Sequence, residues 1–445
     1  MNLIYRRLFS SLAGIALILG LLLAPACSPK PYQIKSEPPA RPYTWVEIGP
    51  ESPESPNSGM LVRTITAAPR CPMLQVGTEA GTTRQEMQVR TTATEDFPVR
   101  VCEAAIPRTA KTVQLDGRSL KLPRPKPQRI LILGDTGCRV KIWAAGRDIQ
   151  NCNDPKEWPF LKISETAAKW KPDLVIHVGD YLYRETPCPE GNTGCVGSPY
   201  GKNWATWDAD FFQPARALLE SAPWIFVRGN HELCSRAGEG WFKFLDPRPY
   251  ESVCRDYTDP YRVKIGAKHA VVLDSANAED LITQTAQLQE YEAQFKKVKA
   301  LGPKNHWLLT HKPVWAVIRS MGPTGFIPPL INNRTLQIAD RDGVLNEFEW
   351  AMAGHIHLFE VLRFEPLQSS KSGPSQMVIG NGGSHLSPLP GELKGLKVGT
   401  RTIQDGFAMQ NFGFVTLEAS PSLWKAVVRN AEGKALKTFD LHQSH

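Results

Sequence analysis

Apolar and polar positions divide this 445-residue chain into four stretches. Near the start a single unbroken apolar run, 12–23, follows Arg6 and Arg7; it is too short to span a bilayer as a permanent helix. From Tyr43 to about Leu122 the apolar residues come in short β-favouring runs, 61–66, 87–92 and 99–101, separated by turn residues and without helical periodicity. That stretch predicts a small β-sandwich. Beyond the Pro-rich 122–127, continuous apolar runs alternate with helical segments, which is the pattern of an α/β core. Runs at 129–133, 174–178, 224–227, 270–273, 306–309 and 350–352 read as buried strands. One helix is expected from Asp154 as N-cap, with Pro155 in its first turn, to Trp170, and another over 285–301 before Gly302. After Met377 the pattern returns to β-like runs such as 412–417 and 424–429. The fold class is therefore α/β, preceded by a small all-β sandwich.

The leader bears on where the chain works. Basic Arg6 and Arg7, the apolar run and the small residues Ala24-Pro25-Ala26 before Cys27 have the order of an export signal. Cys27 resembles the lipid-modified cysteine of bacterial lipoproteins, although Ala24 stands where Leu is usual, and simple cleavage is the alternative. Arg6-Arg7-Leu8-Phe9 also resembles a twin-arginine signal, which exports protein already folded. The expected division is a signal peptide over 1–26, a Pro-rich tether over 27–43 with membrane attachment through a lipid at Cys27, a β-sandwich-like domain over 44–126, and an α/β domain over 127–445. The net charge is +8, or +6 once Arg6 and Arg7 leave with the leader; no dense Lys/Arg run forms a nucleic-acid patch, and the mild excess suits an anionic substrate. Of nine cysteines, setting Cys27 aside leaves an even eight, which suits disulfides in an exported protein. Closeness in sequence favours Cys71–Cys102, Cys138–Cys152, Cys188–Cys195 and Cys234–Cys254 among the many connectivities that eight cysteines permit.

Five short motifs stand where predicted strands run out into loops: Gly134-Asp135-Thr136-Gly137, Gly179-Asp180-Tyr181-Leu182-Tyr183, Gly229-Asn230-His231-Glu232, Thr310-His311 and Gly354-His355-Ile356-His357. Functional groups of α/β sheets collect at such ends, because the strand fixes the backbone while the loop frees the side chain. Together the motifs offer two carboxylates, a phenol, an amide and three imidazoles besides His231, the ligand inventory of a two-metal hydrolytic site. A Gly just before the ligand in four of them lets the backbone approach an ion without a Cβ clash. A lone Gly-Asp is more often a turn; five motifs in this order are the signal.

Over roughly residues 128–385 the series resembles the calcineurin-like metallophosphoesterase superfamily, and Tyr183, three residues after Asp180, makes it similar to the purple acid phosphatase branch. The resemblance implies a central β-sandwich flanked by helices. It implies that Asp135, Tyr183 and His357 hold one metal, Asn230, His311 and His355 the other, and that Asp180 bridges them. Up to three anionic oxygens in the first set suit Fe(III); imidazoles and an amide in the second suit Fe(II), Zn(II) or Mn(II). A metal-bound hydroxide would then attack phosphorus. Asp180, Asn230 and His231 are the catalytic candidates, with His231 positioning substrate or protonating the leaving alkoxide and Glu232 orienting it. The series departs from the family after His311, where Arg319, Ser320 and Met321 replace a histidine expected some nine or ten positions on. Arg319 is a candidate for bidentate phosphate contact. His385 is another substrate candidate, beside the Gly-rich 380–383 that also reads as a plain turn.

The expected activity is hydrolysis of phosphomonoesters in the bacterial periplasm or cell envelope. A phosphodiesterase or nucleotide hydrolase using the same ions is the alternative, and a non-catalytic envelope binding protein a third reading. His177 reads as a core histidine, and Trp204, Trp207, Phe211 and Phe212 as packing rather than a substrate platform. Asp274 is either a cap or a support for a site loop, and His269, His306, His442 and His445 carry no site role.

Overall fold

The computed structural model describes residues 37–441 except 52–58, 145, 320, 323–324, 327–329, 367–372 and 421–422. The export signal, Cys27, the first part of the tether, Ser320, His442 and His445 lie outside the described residues.

Strands buried on both faces account for the unbroken apolar runs. In Arg129–Leu133, Ile130 and Ile132 enter a core between two large sheets, while Leu131 and Leu133 alternate to the opposite face and pack under helices. This strand belongs to a ten-stranded sheet in the order Ala435–Leu441, Trp424–Asn430, Gly413–Ala419, Arg129–Leu133, Leu174–His177, Trp224–Phe226, Tyr43–Ile48, Met60–Thr66, Arg100–Ala105 and Gln88–Thr91. Facing it is an eight-stranded sheet in the order Tyr261–Ile265, Lys268–Val272, Trp307–Leu309, Trp350–Ala353, Ser375–Ile379, Phe359–Phe364, Arg401–Met409 and Lys397–Val398. Ile176, Ile225, Val263, Leu309, Met352 and Ile379 fill the space between the sheets. Phe160–Lys169, Gln213–Leu219 and Gly238–Phe244 cover the outer face of the first sheet, and Thr285–Ala300 and Arg334–Ala339 that of the second. The molecule is the helix-flanked α/β sandwich that the motifs implied.

The all-β segment has a core of its own and also joins the larger sheet. Tyr43–Ile48 pairs in parallel with Trp224–Phe226, Glu47 opposite Trp224, so four of its strands prolong the ten-stranded sheet. A separate four-stranded sheet, starting at Met73–Thr78, packs on them through Leu74, Val76 and Val113 against Val46 and Val62.

The first expected helix begins at Phe160 instead of Asp154. Trp158 precedes Pro159, a position disfavoured for helical backbone, and Asp154 instead closes a turn through its carboxylate and Lys156 N (2.8 Å). The second helix ends as expected, with Gly302 at φ +64° after Leu301. Trp204, Trp207, Phe211 and Phe212 are all buried in the core beneath the first sheet, which makes them packing residues. All four disulfides favoured by closeness in sequence are formed, a pattern that suits an oxidising compartment such as the periplasm or the cell exterior. No helix among the described residues is long and apolar enough to cross a membrane.

What matters for function is that parallel strands end at one level. Leu133 pairs with His177 and His177 with Phe226 in the first sheet, and Leu309 with Met352 in the second. All five motifs therefore leave the sheets along one edge.

Fully buried Glu360 gives the fold a pH dependence. Its Oε1 accepts from Val317 N (3.1 Å), its Oε2 has no partner among the described residues, and burial raises its pKa to about 8. Because the folded pKa lies above the unfolded one, Glu360 contributes fully below about pH 4.5 and loses that contribution as pH rises through about 8. Glu360→Gln cannot ionise, so its unfolding free energy relative to wild type should climb by a few kcal/mol between pH 5 and pH 8.5. Urea unfolding at the two pH values reads this directly; an offset equal at both contradicts it.

Candidate metal centre

Seven side chains from these loops meet in one cage, of which only Asn230 and His355 are partly exposed. Tyr183 Oη lies 3.0 Å from Asp135 Oδ1, 2.9 Å from Asp180 Oδ2 and 2.9 Å from His357 Nε2. Asn230 Oδ1 lies 2.9 Å from His311 Nε2 and 2.8 Å from His355 Nδ1. Asp180 Oδ2 touches both groups, at 2.9 Å from Tyr183 and 3.2 Å from His311. The donors thus fall into two sets sharing one carboxylate. Single atoms of Asp180, His311 and His355 lie within 4.8 Å of one another, close enough for a common ion.

The backbone is bent to achieve this. Asp135, Asp180 and His355 adopt left-handed φ values of 58°, 61° and 71°, conformations that cost a non-glycine residue free energy and cluster at functional sites. A Cβ at Gly229 would fall on the Asp180 carboxylate, and one at Gly354 on that of Asp135. The 380–383 loop closes the floor: Gly382 N donates to Gly134 O (3.0 Å) and Ser384 N to Asp135 O (2.9 Å).

Electrostatics favour cations here. Among the described residues no Lys or Arg pairs directly with Asp135 or Asp180, whose ion-pair partners are His357, His311 and His231. Burial opposes ionisation of Asp180, but His311 and His231 outweigh it and hold its pKa well below the carboxylate range. Burial likewise opposes charge on His311, yet Asp180 lifts its pKa to about 9. Burial, then Asp135 and Asp180, push the Tyr183 phenol far above its ordinary value, so a phenolate there requires a cation beside it. Oxygen donors on one side and imidazoles with an amide on the other fit a pair of metal ions.

Glu232 has a different task from the one expected. Its carboxylate accepts from the backbone N–H groups of Asp180 (3.2 Å), Tyr181 (2.9 Å), Leu182 (3.3 Å) and Gly229 (3.0 Å), and so pins two motif loops together. His231 is oriented by Leu182 O instead, 2.8 Å from Nδ1. A carbonyl only accepts, so Nδ1 carries the proton, and Arg236 Nη2 lies against the ring edge, 2.7 Å from Nε2 and 2.8 Å from Nδ1. Burial and Arg236 hold the His231 pKa well below its usual value.

An open cleft of about 380 Å3 leads to the cage, lined by Asp180, Asn230, His231, His355 and His357 with Arg139, Asp148 and His385. Of the two substrate candidates, His385 is on this wall, with Nδ1 2.7 Å from Asp148 Oδ1 and its carbonyl 2.8 Å from His357 Nδ1. Arg319 does not line the cleft. His177 is a core histidine, Nε2 3.1 Å from Thr136 Oγ1 and its ring stacked on Tyr181. Asp274 binds Arg228 and Thr258 and caps Ala276 N, as a local brace. Sequence reasoning missed Arg139, Arg236 and Asp280. Asp280 Oδ2 lies 2.9 Å from His355 Nε2, and Lys312 and Asn333 hold the same carboxylate. Burial works against this acid, but His355 and Lys312 hold its pKa far below the usual range.

Glu232→Gln tests the bracing. An amide offers fewer acceptors and sets its own N–H against the backbone donors, so the change should cost about 1–3 kcal/mol for each N–H left unpaired. It should also lower metal content; thermal unfolding and elemental analysis measure both, and a variant of unchanged stability and metal content contradicts the role.

Comparison with known proteins agrees with this geometry. The calcineurin-like phosphoesterase family matches residues 128–359, more than half of the chain. Among solved structures, purple acid phosphatase PPD1 from yellow lupin (Lupinus luteus) seeds is similar at a TM-score of 0.56 and 17% identity, covering 91% of this chain and 74% of that one. PhoD is similar at a TM-score of 0.50 and 14% identity, covering 89% and 88%. At such identities the likeness is one of fold. No curated protein matches the sequence significantly. The matched stretch carries all seven cage residues and the family implies a dinuclear metal site, so the chain belongs to the calcineurin-like phosphoesterase family and is a metal-dependent phosphoric ester hydrolase.

Proposed function

We propose that this protein hydrolyses phosphomonoesters in the bacterial cell envelope. The observation that carries the proposal is the partition of the cage: Asp135, Tyr183 and His357 on one side, Asn230, His311 and His355 on the other, with Asp180 common to both. The oxygen-rich set suits Fe(III), and the imidazole–amide set Fe(II), Zn(II) or Mn(II). Bound there, two ions would neutralise phosphoryl charge and acidify the hydrolytic water. Asp180, whose Oδ2 reaches both donor sets, would hold the two ions together. Asn230 contributes an amide oxygen that adds no charge to the second set. His231, neutral and fixed between Leu182 O and Arg236, positions substrate at the mouth. The four disulfides and the export-signal reading of residues 1–26 support the envelope, with Cys27 as the lipid anchor.

A phosphodiesterase or nucleotide hydrolase is the second reading, favoured by the missing histidine after His311. Turnover of mono- and diesters on one preparation separates the two. A non-catalytic binding protein has less support, because no cage residue is missing and His231 remains. A binder would tolerate His231→Ala.

Metal-loaded protein should release phosphate from monoesters and absorb visible light through a Tyr–iron bond, and Tyr183→Phe should remove the band. A fully loaded protein that releases phosphate from no ester contradicts the proposal. Asp280→Asn, which weakens the orientation of His355, should lower affinity for the second ion about 10–100-fold by metal titration. Unchanged affinity would show that His355 needs no such partner.

A further inference from the structure

Among the described residues lining the cleft, Arg139 is the only Lys or Arg. It follows Cys138 on the loop from the first motif, and contacts fix it closely. Its Nε lies 3.3 Å from Asp148 Oδ2, its guanidinium carbon 4.7 Å from the centre of the Tyr183 ring, and its Nη1 3.5 Å from His231 Nε2. Its backbone N donates to Gln150 Oε1 (3.0 Å), and Gln150 N donates to its carbonyl (2.7 Å). Asp148 is held in turn by His385 (2.7 Å). The hairpin carrying Asp148 is tied at its base by Cys138–Cys152. A guanidinium braced by a carboxylate and laid over the ring of a cage residue is set in place before any substrate arrives. Arg236, the other cation beside His231, bonds Glu185 and Asn230 O and does not line the cleft.

Resting on the phosphoesterase reading, we infer that Arg139 grips the phosphoryl oxygen that the two ions leave unmatched, and so makes the site select phosphomonoester dianions. A monoester carries three non-bridging oxygens sharing two negative charges, whereas a diester carries two sharing one. Two bound cations would answer two of these oxygens, which leaves the third to a charged donor from the chain. The planar fork of Arg139 supplies paired N–H groups for it. On a diester that position is an esterified oxygen, a weak acceptor with a carbon substituent directed at the guanidinium. Arg139 therefore takes the part that the sequence suggested for Arg319.

The test compares wild type with Arg139→Gln and Arg139→Lys for metal content, orthophosphate binding by calorimetry, and kcat/KM on 4-nitrophenyl phosphate and bis(4-nitrophenyl) phosphate. The Gln variant should keep both ions, bind orthophosphate about 10–100-fold more weakly and lose a similar factor on the monoester, with diester turnover largely kept. Lys should recover only part of the loss, since a point charge lacks the fork. Equal losses on both esters, or unchanged orthophosphate binding with metal intact, would overturn the inference. Should the Gln variant lose metal, the metal-replete Lys variant decides, and a wild-type preference for the monoester there overturns it too. If wild type cleaves no monoester, the phosphomonoesterase reading falls instead, while weaker orthophosphate binding in the metal-replete variants still supports the Arg139 contact.

Discussion

Two carboxylates, Asp135 and Asp180, converge on one phenol oxygen at the buried edge of the sandwich, each within 3.0 Å of Tyr183 Oη and neither paired directly with Lys or Arg among the described residues. Buried negative charge of that density is costly unless something positive answers it. Imidazoles answer part of it, and bound cations would answer more. Much of the surrounding structure can be understood as the means of holding these groups together: left-handed backbone at Asp135, Asp180 and His355, glycines where any side chain would strike a carboxylate, and Glu232 binding four amides behind the loops.

The sandwich provides the second condition, which is registry. Donors come from both sheets, and parallel strands ending at one level bring Asp135, Asp180 and Asn230 from one sheet opposite His311 and His355 from the other. Two disulfides brace these loops: Cys138–Cys152 ties the hairpin bearing Asp148, and Cys234–Cys254 follows the Asn230 motif. The activity thus sits on rigid strand ends, with the cleft wall supplied by a cross-linked hairpin and by His385.

The cage was legible because each donor sits next to a local signal, a Gly or a strand end, and because the order of five motifs carries information that no single motif has. Doubly buried strands were legible as unbroken apolar runs. Their supports were not. Glu232 looked like a partner for its neighbour His231, but its carboxylate reaches backbone amides some fifty residues earlier. Asp280 and Arg139 follow no pattern that spacing detects, and only folding brings them against His355 and His231. The parallel pairing of Tyr43–Ile48 with Trp224–Phe226 is equally non-local, which is why the all-β segment read as detached. The early helix start failed on a local rule, the conformational restriction that Pro159 places on Trp158.

An anionic cage of this kind would be filled by two cations. Elemental analysis of protein isolated without chelators and titrated to saturation counts them. Wild type should hold two tightly bound transition-metal ions per chain, and replacing Asp180, common to the two donor sets, by Ala should lose both. Saturation at one ion or none, or an Asp180→Ala variant that still holds two, would contradict it.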